Sequence, residues 1–331
     1  MNQKDTPIVS ICCLTYNHEP FIRDAIEGFL IQKTTFPIEI LVHDDASSDG
    51  TTGIIREYEN KYPNLIFPIY QKENQYSKGI KISPTFVWPK VQGKYIAICE
   101  GDDYWTYPYK LQKQVDSLEA NSRYGLVHSD CNILNHEHNS IIQQYHKQKN
   151  RIINTDNLFE ELLYDNFIDT CTVCLRKDLL LEYLSSKYAD MKFGMGDYPL
   201  WLYLSLNTQF GYINEPLAVR RILPESASQS KNYQKKLAFV QSIYDIKFYF
   251  IEQFGCSEKL RSLIIRQYHK ALLYYSSLLR DAQTAENSYK IISEHSSIVE
   301  RIRLIVRLVG AKNVLLNRIL LWLEQLRKKQ H

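Results

Sequence analysis

Two short acidic runs, His43-Asp44-Asp45 and Glu100-Gly101-Asp102-Asp103, carry the residues of this chain most able to do chemistry. Carboxylates packed together raise one another's pKa, which is costly unless a cation or a hydrogen-bonding ligand compensates. A hard divalent cation is the natural compensator. Mg²⁺ or Mn²⁺ binds one or two carboxylates and completes its shell with water and phosphate oxygens, so the pattern points to a diphosphate-containing substrate. Acids at strand ends also start turns and cap helices, and Asp49 in Ser47-Ser48-Asp49-Gly50 reads that way. Three acids between Glu100 and Asp103 exceed what a cap needs, so that cluster is read as metal- or ribose-binding.

Other polar groups stand nearby in the chain. Thr15-Tyr16-Asn17-His18 offers a hydroxyl, a phenol, an amide and an imidazole where a base or ribose could be held. No Gly-x-Gly-x-x-Gly follows the first strand and no Gly-x-x-x-x-Gly-Lys-Ser/Thr occurs, which removes support for dehydrogenase and P-loop readings. Cys171 and Cys174 form a Cys-x-x-Cys with no second ligand pair, so they read as strand cysteines. His43 and His128 read as core groups, and His136, His138 and His146 lack the helical spacing of a zinc site. Trp105 and Tyr107 read as packing residues that could also flank a sugar ring.

The elements that must position these groups follow from periodicity. Ile8 to Tyr16, Ile38 to Asp44, Leu65 to Tyr70, Tyr95 to Cys99 and Leu126 to Asn132 predict strands. Helical spacing over Pro20 to Gln32, Thr51 to Tyr62 and Pro108 to Asn121 alternates with them, which predicts an α/β fold with an open, doubly wound and mostly parallel sheet. Both acidic clusters then end strands, where open parallel sheets bind ligands. Further on, the sequence predicts a helix near Asp156 to Tyr164, a strand at Thr170 to Leu175, a helix after Asp197, and a nearly all-helical region from Tyr233.

Composition narrows the class. The 331 residues, 44% hydrophobic and 23% charged with a net charge of +3, read as an ordinary globular chain and not as a nucleic-acid binder. Seven cysteines without framework spacing, and no charged-then-apolar leader, give the expectation of reduced thiols in a cytosolic protein. No apolar run reaches the roughly 18 to 20 residues of a membrane-spanning helix.

Taken together, Pro7-Ile8-Val9-Ser10, Thr15-Tyr16-Asn17, Glu39 through Thr51, Gly93-Lys94-Tyr95-Ile96-Ala97 and Glu100-Gly101-Asp102-Asp103-Tyr104-Trp105 resemble the family-2 glycosyltransferases with a GT-A fold. The resemblance is strong over about residues 1–135 and weaker to about Ser228. Its Glu-Gly-Asp-Asp-Tyr-Trp version looks like enzymes of bacterial capsule or lipopolysaccharide synthesis. It implies a GT-A domain over 1–228, with nucleotide-sugar binding in about 1–135 and an acceptor-side half in 136–228, followed by a helical region over 229–331. The implied activity is inverting transfer of a sugar from a nucleotide-sugar, usually a UDP-sugar, to a hydroxyl of a glycan or lipid-linked acceptor, with Mn²⁺ or Mg²⁺.

By position, the resemblance puts Thr15 and Tyr16 beside the nucleoside and Asp44 or Asp45 on the base, with Asp45 preferred. Glu100, Asp102 and Asp103 fall on the Asp-x-Asp region, where one carboxylate faces the ribose and another the metal. Asp102 and Asp103 are both open as metal ligand. Where many relatives carry Gly-x-x-x-Ala-Arg-Asn, this chain has Tyr76-Ser77-Lys78-Gly79-Ile80-Lys81-Ile82-Ser83-Pro84.

Inverting displacement needs a carboxylate to take the acceptor proton, and the resemblance puts Asp197 of Met195-Gly196-Asp197-Tyr198-Pro199 there. From residues alone the N-cap is the favoured reading of Asp197, and the family position reverses that to the base. Arg220 and Arg221 are placed to reach the diphosphate, with Arg221 the preferred donor contact, or are solvated loop charges. A sugar nucleotidyltransferase is one alternative, but it would present a Gly-rich basic loop where Thr15-Tyr16-Asn17-His18-Glu19 stands. A non-catalytic binding module is another, against which the intact Asp45, Asp102, Asp103 and Asp197 count.

From Arg301 to Lys329, eight basic residues face one acid, Glu324. Leu315, Ile319, Trp322, Leu323 and Leu326 can share a helix face, which suits the inner, anionic face of a cell membrane, a partner protein, or the chain's own core.

Overall fold

The computed structural model describes residues 6–136, 138–149, 157–224, 232–294 and 296–329, with 324–329 described by backbone alone. The side chains of Glu324, Leu326, Arg327, Lys328 and Lys329, and all of Asp156, Ser226 and Ser228, fall outside the described residues. By contact the chain divides into two units, one of residues 1–192 and 196–223, the other of residues 193–195 and 224–331.

In the first unit, β1 (Val9–Thr15), α1 (Ile22–Leu30), β2 (Ile38–Asp44), α2 (Thr51–Lys61), β3 (Ile66–Tyr70) and β4 (Tyr95–Ile98) realise the βαβ alternation of the sequence. β1 is buried along almost its whole length, as a parallel strand covered on both faces must be. Val9, Ile11 and Cys13 share a core with Ile40, Val42 and Ala97 of the neighbouring strands and with Ile22, Ala25 and Phe29 of α1. Thr15 pairs with Asp44 across β1 and β2, so these two strands end level and their following loops start side by side.

The chain continues through β5 (Tyr104–Trp105), α3 (Lys110–Ala120), β6 (Tyr124–Asn135), β7 (Ser140–Ile142), α4 (Tyr145–Gln148) and α5 (Leu158–Tyr164). It then forms β8 (Cys174–Arg176), α6 (Lys177–Leu184), α7 (Lys187–Asp190), α8 (Asp197–Asn207) and β9 (Gln209–Ile222). The sheet runs β3-β2-β1-β4-β8-β6-β9-β5, with β7 on β6. Its first four strands are parallel, β8 is antiparallel to both β4 and β6, and β9 is parallel to β6 and antiparallel to β5. α1 lies close on β5: a Cβ on Gly28 would sit 2.8 Å from both the backbone nitrogen and oxygen of Trp105, so only glycine fits there.

Two stretches depart from the pattern reading. The strand predicted at Thr170 to Leu175 is a 3₁₀ turn over Thr170–Thr172 followed by the short β8. The Thr172 hydroxyl and amide both donate to the Asp169 carbonyl, at 2.7 and 2.9 Å, and this local bonding displaces the ladder. The long β9 has no counterpart in the sequence reading, because Asn214-Glu215-Pro216 interrupts its alternation. Its pairing with β6 shifts register at Ser129, Asp130 and Pro216, a bulge that absorbs the interruption.

The second unit contains α9 (Tyr233–Phe254), α10 (Glu258–Leu279), α11 (Ala282–Ser293), α12 (Ile298–Lys312) and α13 (Val314–Lys329). Asn232, Asp281 and Ser297 cap α9, α11 and α12 with their side chains. Leu273, Ala285, Ile292, Leu304 and Ala311 form its core. On α13 the buried side chains are Asn317 and Leu320, while Leu315, Ile319, Trp322 and Leu323 of the expected stripe are exposed. Among the described residues no helix is long and apolar enough to cross a membrane.

Candidate active site

The ends of β1, β2 and β4, the short β5, the end of β9 and the start of α8 bring the acids together. Leu14 and Thr15 at the end of β1 bridge the two clusters: the Asp45 amide donates to the Thr15 carbonyl at 3.1 Å and the Gly101 amide to the Leu14 carbonyl at 2.8 Å. A side chain on Gly101 would strike the Thr15 hydroxyl at 2.8 Å, so glycine is what lets the acidic loop lie against β1.

The two aspartates at the end of β2 have different work. Asp44 accepts from the Ser47 amide at 3.0 Å, the Ser47 hydroxyl at 2.6 Å and the Thr52 hydroxyl at 2.5 Å, so its carboxylate is taken up in shaping the turn into α2. Asp45, also buried, accepts from the amides of Gln75 and Tyr76 at 2.9 and 3.0 Å and pins the loop after β3. Asp49 accepts from the Thr51 and Glu19 amides, a turn role. Asn17 and Ala46 face this region in left-handed backbone, with φ of 54° and 62°. Asn17 also accepts from the Ser48 amide at 2.8 Å, locking the loops after β1 and β2 together.

At the second cluster, Asp103 is buried and accepts from the Arg221 amide at 2.7 Å. Burial first, and the Asp102 charge next, push its carboxyl up to about 8 against the help of that amide, the Cys171 thiol and Arg220. Glu100 is likewise held well above the usual carboxylate range by burial, then by the charges of Asp103, Asp102 and Asp197. The Asp102 carboxylate is partly exposed and has no hydrogen-bond donor among the described residues. These acids are crowded together, and the oxygen-rich set fits a hard divalent cation with Asp102 as the most available ligand.

Asp197 joins them as the first residue of α8. It accepts from the Thr170 hydroxyl and from the Tyr198 amide, both at 2.8 Å, and its charge is felt at Glu100. The residue preceding the helix is Gly196, and no side-chain cap closes it. Thr170, carried by the 3₁₀ turn, reads in the sequence only as the start of a strand, because nothing in Asp169-Thr170-Cys171 marks it as a site residue.

Both arginines end β9. Arg221 donates to the Asp102 carbonyl at 2.7 Å, is ion-paired with Asp24, and lies between the Tyr104 and Phe21 rings, 4.3 and 5.1 Å from their centroids. Its guanidinium ties α1 to the acidic loop. Arg220 reaches the buried Asp169 at 2.7 Å. Asp169 also accepts from the His146 ring at 2.6 Å and the Cys131 thiol at 3.1 Å. Burial works to raise Asp169, but the His146 hydrogen bond and the Arg220 charge outweigh it and hold it near 2. Asp130, Cys131 and His146 bring one potential ligand atom each within 4.8 Å of one another, a grouping that helical spacing could not reveal.

Thr15 is brought to the cleft and Tyr16 stands exposed beside it. His18, which sequence reasoning mentioned only as part of a run, lies next to Asp102. Burial first lowers its pKa, against the charges of Asp102 and Asp49, and the Thr15 hydroxyl and His18 Nδ1 are buried without hydrogen-bond partners among the described residues. Trp105 is buried and donates to the Cys171 carbonyl at 2.8 Å, a packing role, and none of the cysteines is in a disulfide.

Comparison with known proteins places this geometry. The model for glycosyl transferase family 2 matches residues 10–184. An uncharacterized protein of Mycobacterium tuberculosis is 46% identical over 111 residues, covering 34% of this chain and 31% of the relative. The putative teichuronic acid biosynthesis glycosyltransferase TuaG of Bacillus subtilis is 32% identical over 116 residues, covering 35% of this chain and 44% of the relative. The chain thus spans less than half the length of these curated relatives. Among solved structures, S. aureus TarS in complex with UDP-GlcNAc aligns with a TM-score of 0.51 at 17% identity, over 86% of this chain and 83% of that one. The mannosyltransferase PcManGT from Pyrobaculum calidifontis, in complex with GDP-Man and Mn²⁺, aligns with a TM-score of 0.52 at 13% identity, over 96% and 87%. These likenesses identify the α/β fold as GT-A, followed by a helical C-terminal region.

Proposed function

The chain belongs to glycosyl transferase family 2, and from that premise we propose that it moves a sugar from a UDP-sugar to an acceptor hydroxyl with inversion at the anomeric carbon. The observation that carries this reading is the convergence of Asp102, Asp103 and Asp197 on Glu100, where the charge of each is felt. Asp102 and Glu100 hold the metal and the ribose side of the donor. Asp102 is preferred over Asp103 as metal ligand because Asp103 is buried and bonded to the Arg221 amide. Mn²⁺ or Mg²⁺, when bound, supplies positive charge to the departing diphosphate.

The chain's own groups do the rest. Asp45 receives the base, exchanging its bonds to the Gln75 and Tyr76 amides for it, while Thr15 and Tyr16 flank the nucleoside. Asp197 takes the acceptor proton as the hydroxyl attacks, and Thr170 fixes which oxygen faces it. The name of the TuaG relative and the Glu-Gly-Asp-Asp-Tyr-Trp run support a role in bacterial surface polysaccharide synthesis on a glycan or lipid-linked acceptor, in the cytoplasm with peripheral contact to the inner membrane face through the C-terminal basic helix.

The test is donor hydrolysis and binding with a panel of UDP-sugars, Mn²⁺ and Mg²⁺, using the wild type and an Asp102→Ala, Asp103→Ala double variant. Metal-dependent UDP release that the variant loses is the expected result. Binding of no UDP-sugar, with or without metal, would overturn the uridine assignment and favour another nucleotide or a binding module.

A further inference from the structure

In the second unit, two consecutive helices leave their apolar faces in solvent. On α12, Ile298, Val299, Ile302, Ile305, Val306 and Val309 are exposed, Ile298 by 79%. On α13, Leu315, Leu316, Ile319, Trp322 and Leu323 are exposed, Leu315 by 67% and Trp322 by 57%. Single exposed apolar side chains need no explanation, but runs on adjoining helices mark an interaction surface.

The charges around these faces select the partner. At 3.6 residues per turn the α12 set covers an arc of roughly 120°. Arg301 falls on one border of that arc and Arg303 on the other, both exposed, while Lys312, next to Arg301 on its border, is ion-paired with Glu286 at 3.1 Å. On α13 the exposed Arg318 borders the stripe. Glu300, the acid of α12, points the opposite way, into ion pairs with Arg266 and Lys270 at 2.5 Å. An apolar stripe edged by cations is the pattern of helices that lie in the plane of an anionic bilayer surface, and Trp favours that interface. A second copy docked by the same faces would set cationic borders against each other.

We infer that α12 and α13 together form a docking surface for the anionic phospholipid headgroup layer, with both apolar faces entering the interface and Arg301, Arg303 and Arg318 on the headgroups. This rests on the peripheral-membrane reading above, which named only the last helix, and it adds α12 as a second, equal element.

Co-sedimentation of the full chain with phosphatidylcholine vesicles, with and without phosphatidylglycerol at roughly three to one, tests it. The wild type is expected to partition to the anionic vesicles and not to the neutral ones. Ile302→Asp with Val306→Asp, and separately Arg301→Glu with Arg303→Glu, should each weaken partitioning by roughly tenfold or more while thermal melting stays unchanged. Partitioning of both variants at the wild-type level would remove α12 from the surface and leave the last helix alone. No partitioning of the wild type would overturn both membrane readings, while UDP-sugar hydrolysis reports on the donor half independently. A wild-type dimer in light scattering that Ile302→Asp with Val306→Asp turns into a monomer would assign the face to a second copy and overturn the inference.

Discussion

Thr170 donates its hydroxyl hydrogen to Asp197 at 2.8 Å, across 27 residues of chain and from a 3₁₀ turn to the first residue of a helix. That bond orients the proposed base. Thr170→Val, which keeps the shape and removes the donor, is expected to lower kcat roughly 10-fold to 100-fold, the range for a group supporting a catalytic side chain. Steady-state kinetics checks this, and a donor KM near wild type is part of the expectation because Thr170 stands on the acceptor side of the mechanism. Asp197→Asn should cost more, about 100-fold to 10,000-fold in kcat.

Asp102 and Asp103 should separate function from stability. Asp102→Ala removes a partly exposed carboxylate from a crowded cluster, so it is expected to abolish metal-dependent donor binding while leaving the melting temperature equal or higher. Asp103→Ala strands the Arg221 amide and should cost about 1–3 kcal/mol. Calorimetric melting beside Mn²⁺ titration measures both, and a destabilised Asp102→Ala would contradict the assignment.

Arg221 should behave as a structural tie. Arg221→Lys keeps the charge but loses the planar fork shared by Asp24 and the Asp102 carbonyl, along with the stacking on Tyr104. A loss of about 1.5–3 kcal/mol in chemical denaturation is expected. A Lys variant as stable as the wild type with strongly raised donor KM would instead return Arg221 to the diphosphate.

Lys110 gives a pH signature. It is fully buried, 4.0 Å from the Trp105 ring centroid and bonded to Gln114 at 2.7 Å, and burial lowers it from 10.5 to about 8. Between pH 8 and 10.5 the folded chain holds fewer protons at this site than the unfolded chain, so stability rises with pH across that window and is flat below it. Relative to Lys110→Met, the wild type should gain about 3 kcal/mol over the interval, the free energy of a shift of this size. Urea denaturation at pH 7.5 and pH 10.5 reads the difference directly.

Much of this could be seen in the residues before the fold. The strands that end at Thr15 and Asp44 and the one that precedes Glu100 announce themselves because parallel strands buried on both faces are continuous apolar runs, and their ends then fix where acids gather. Partnerships made late in the chain were invisible. Pro216 hides β9 by breaking alternation, and without β9 neither the Arg221 amide on Asp103 nor the Arg220 pair with Asp169 can be foreseen. Asp44 and Asp45 are chemically identical in sequence, and only the positions of Ser47, Thr52, Gln75 and Tyr76 distinguish a turn former from a loop anchor.

The pairing of β5 with β9 has a consequence for biosynthesis. Arg221 and Asp103 are separated by 118 residues, so a growing polypeptide can complete its parallel half long before the acidic loop acquires the amide that steadies it. At common translation speeds that interval is roughly 6 to 24 s, during which the crowded carboxylates lack that amide. A ribosome paused before β9 would carry a nascent chain with every acid of the Glu100 cluster already made and no assembled site.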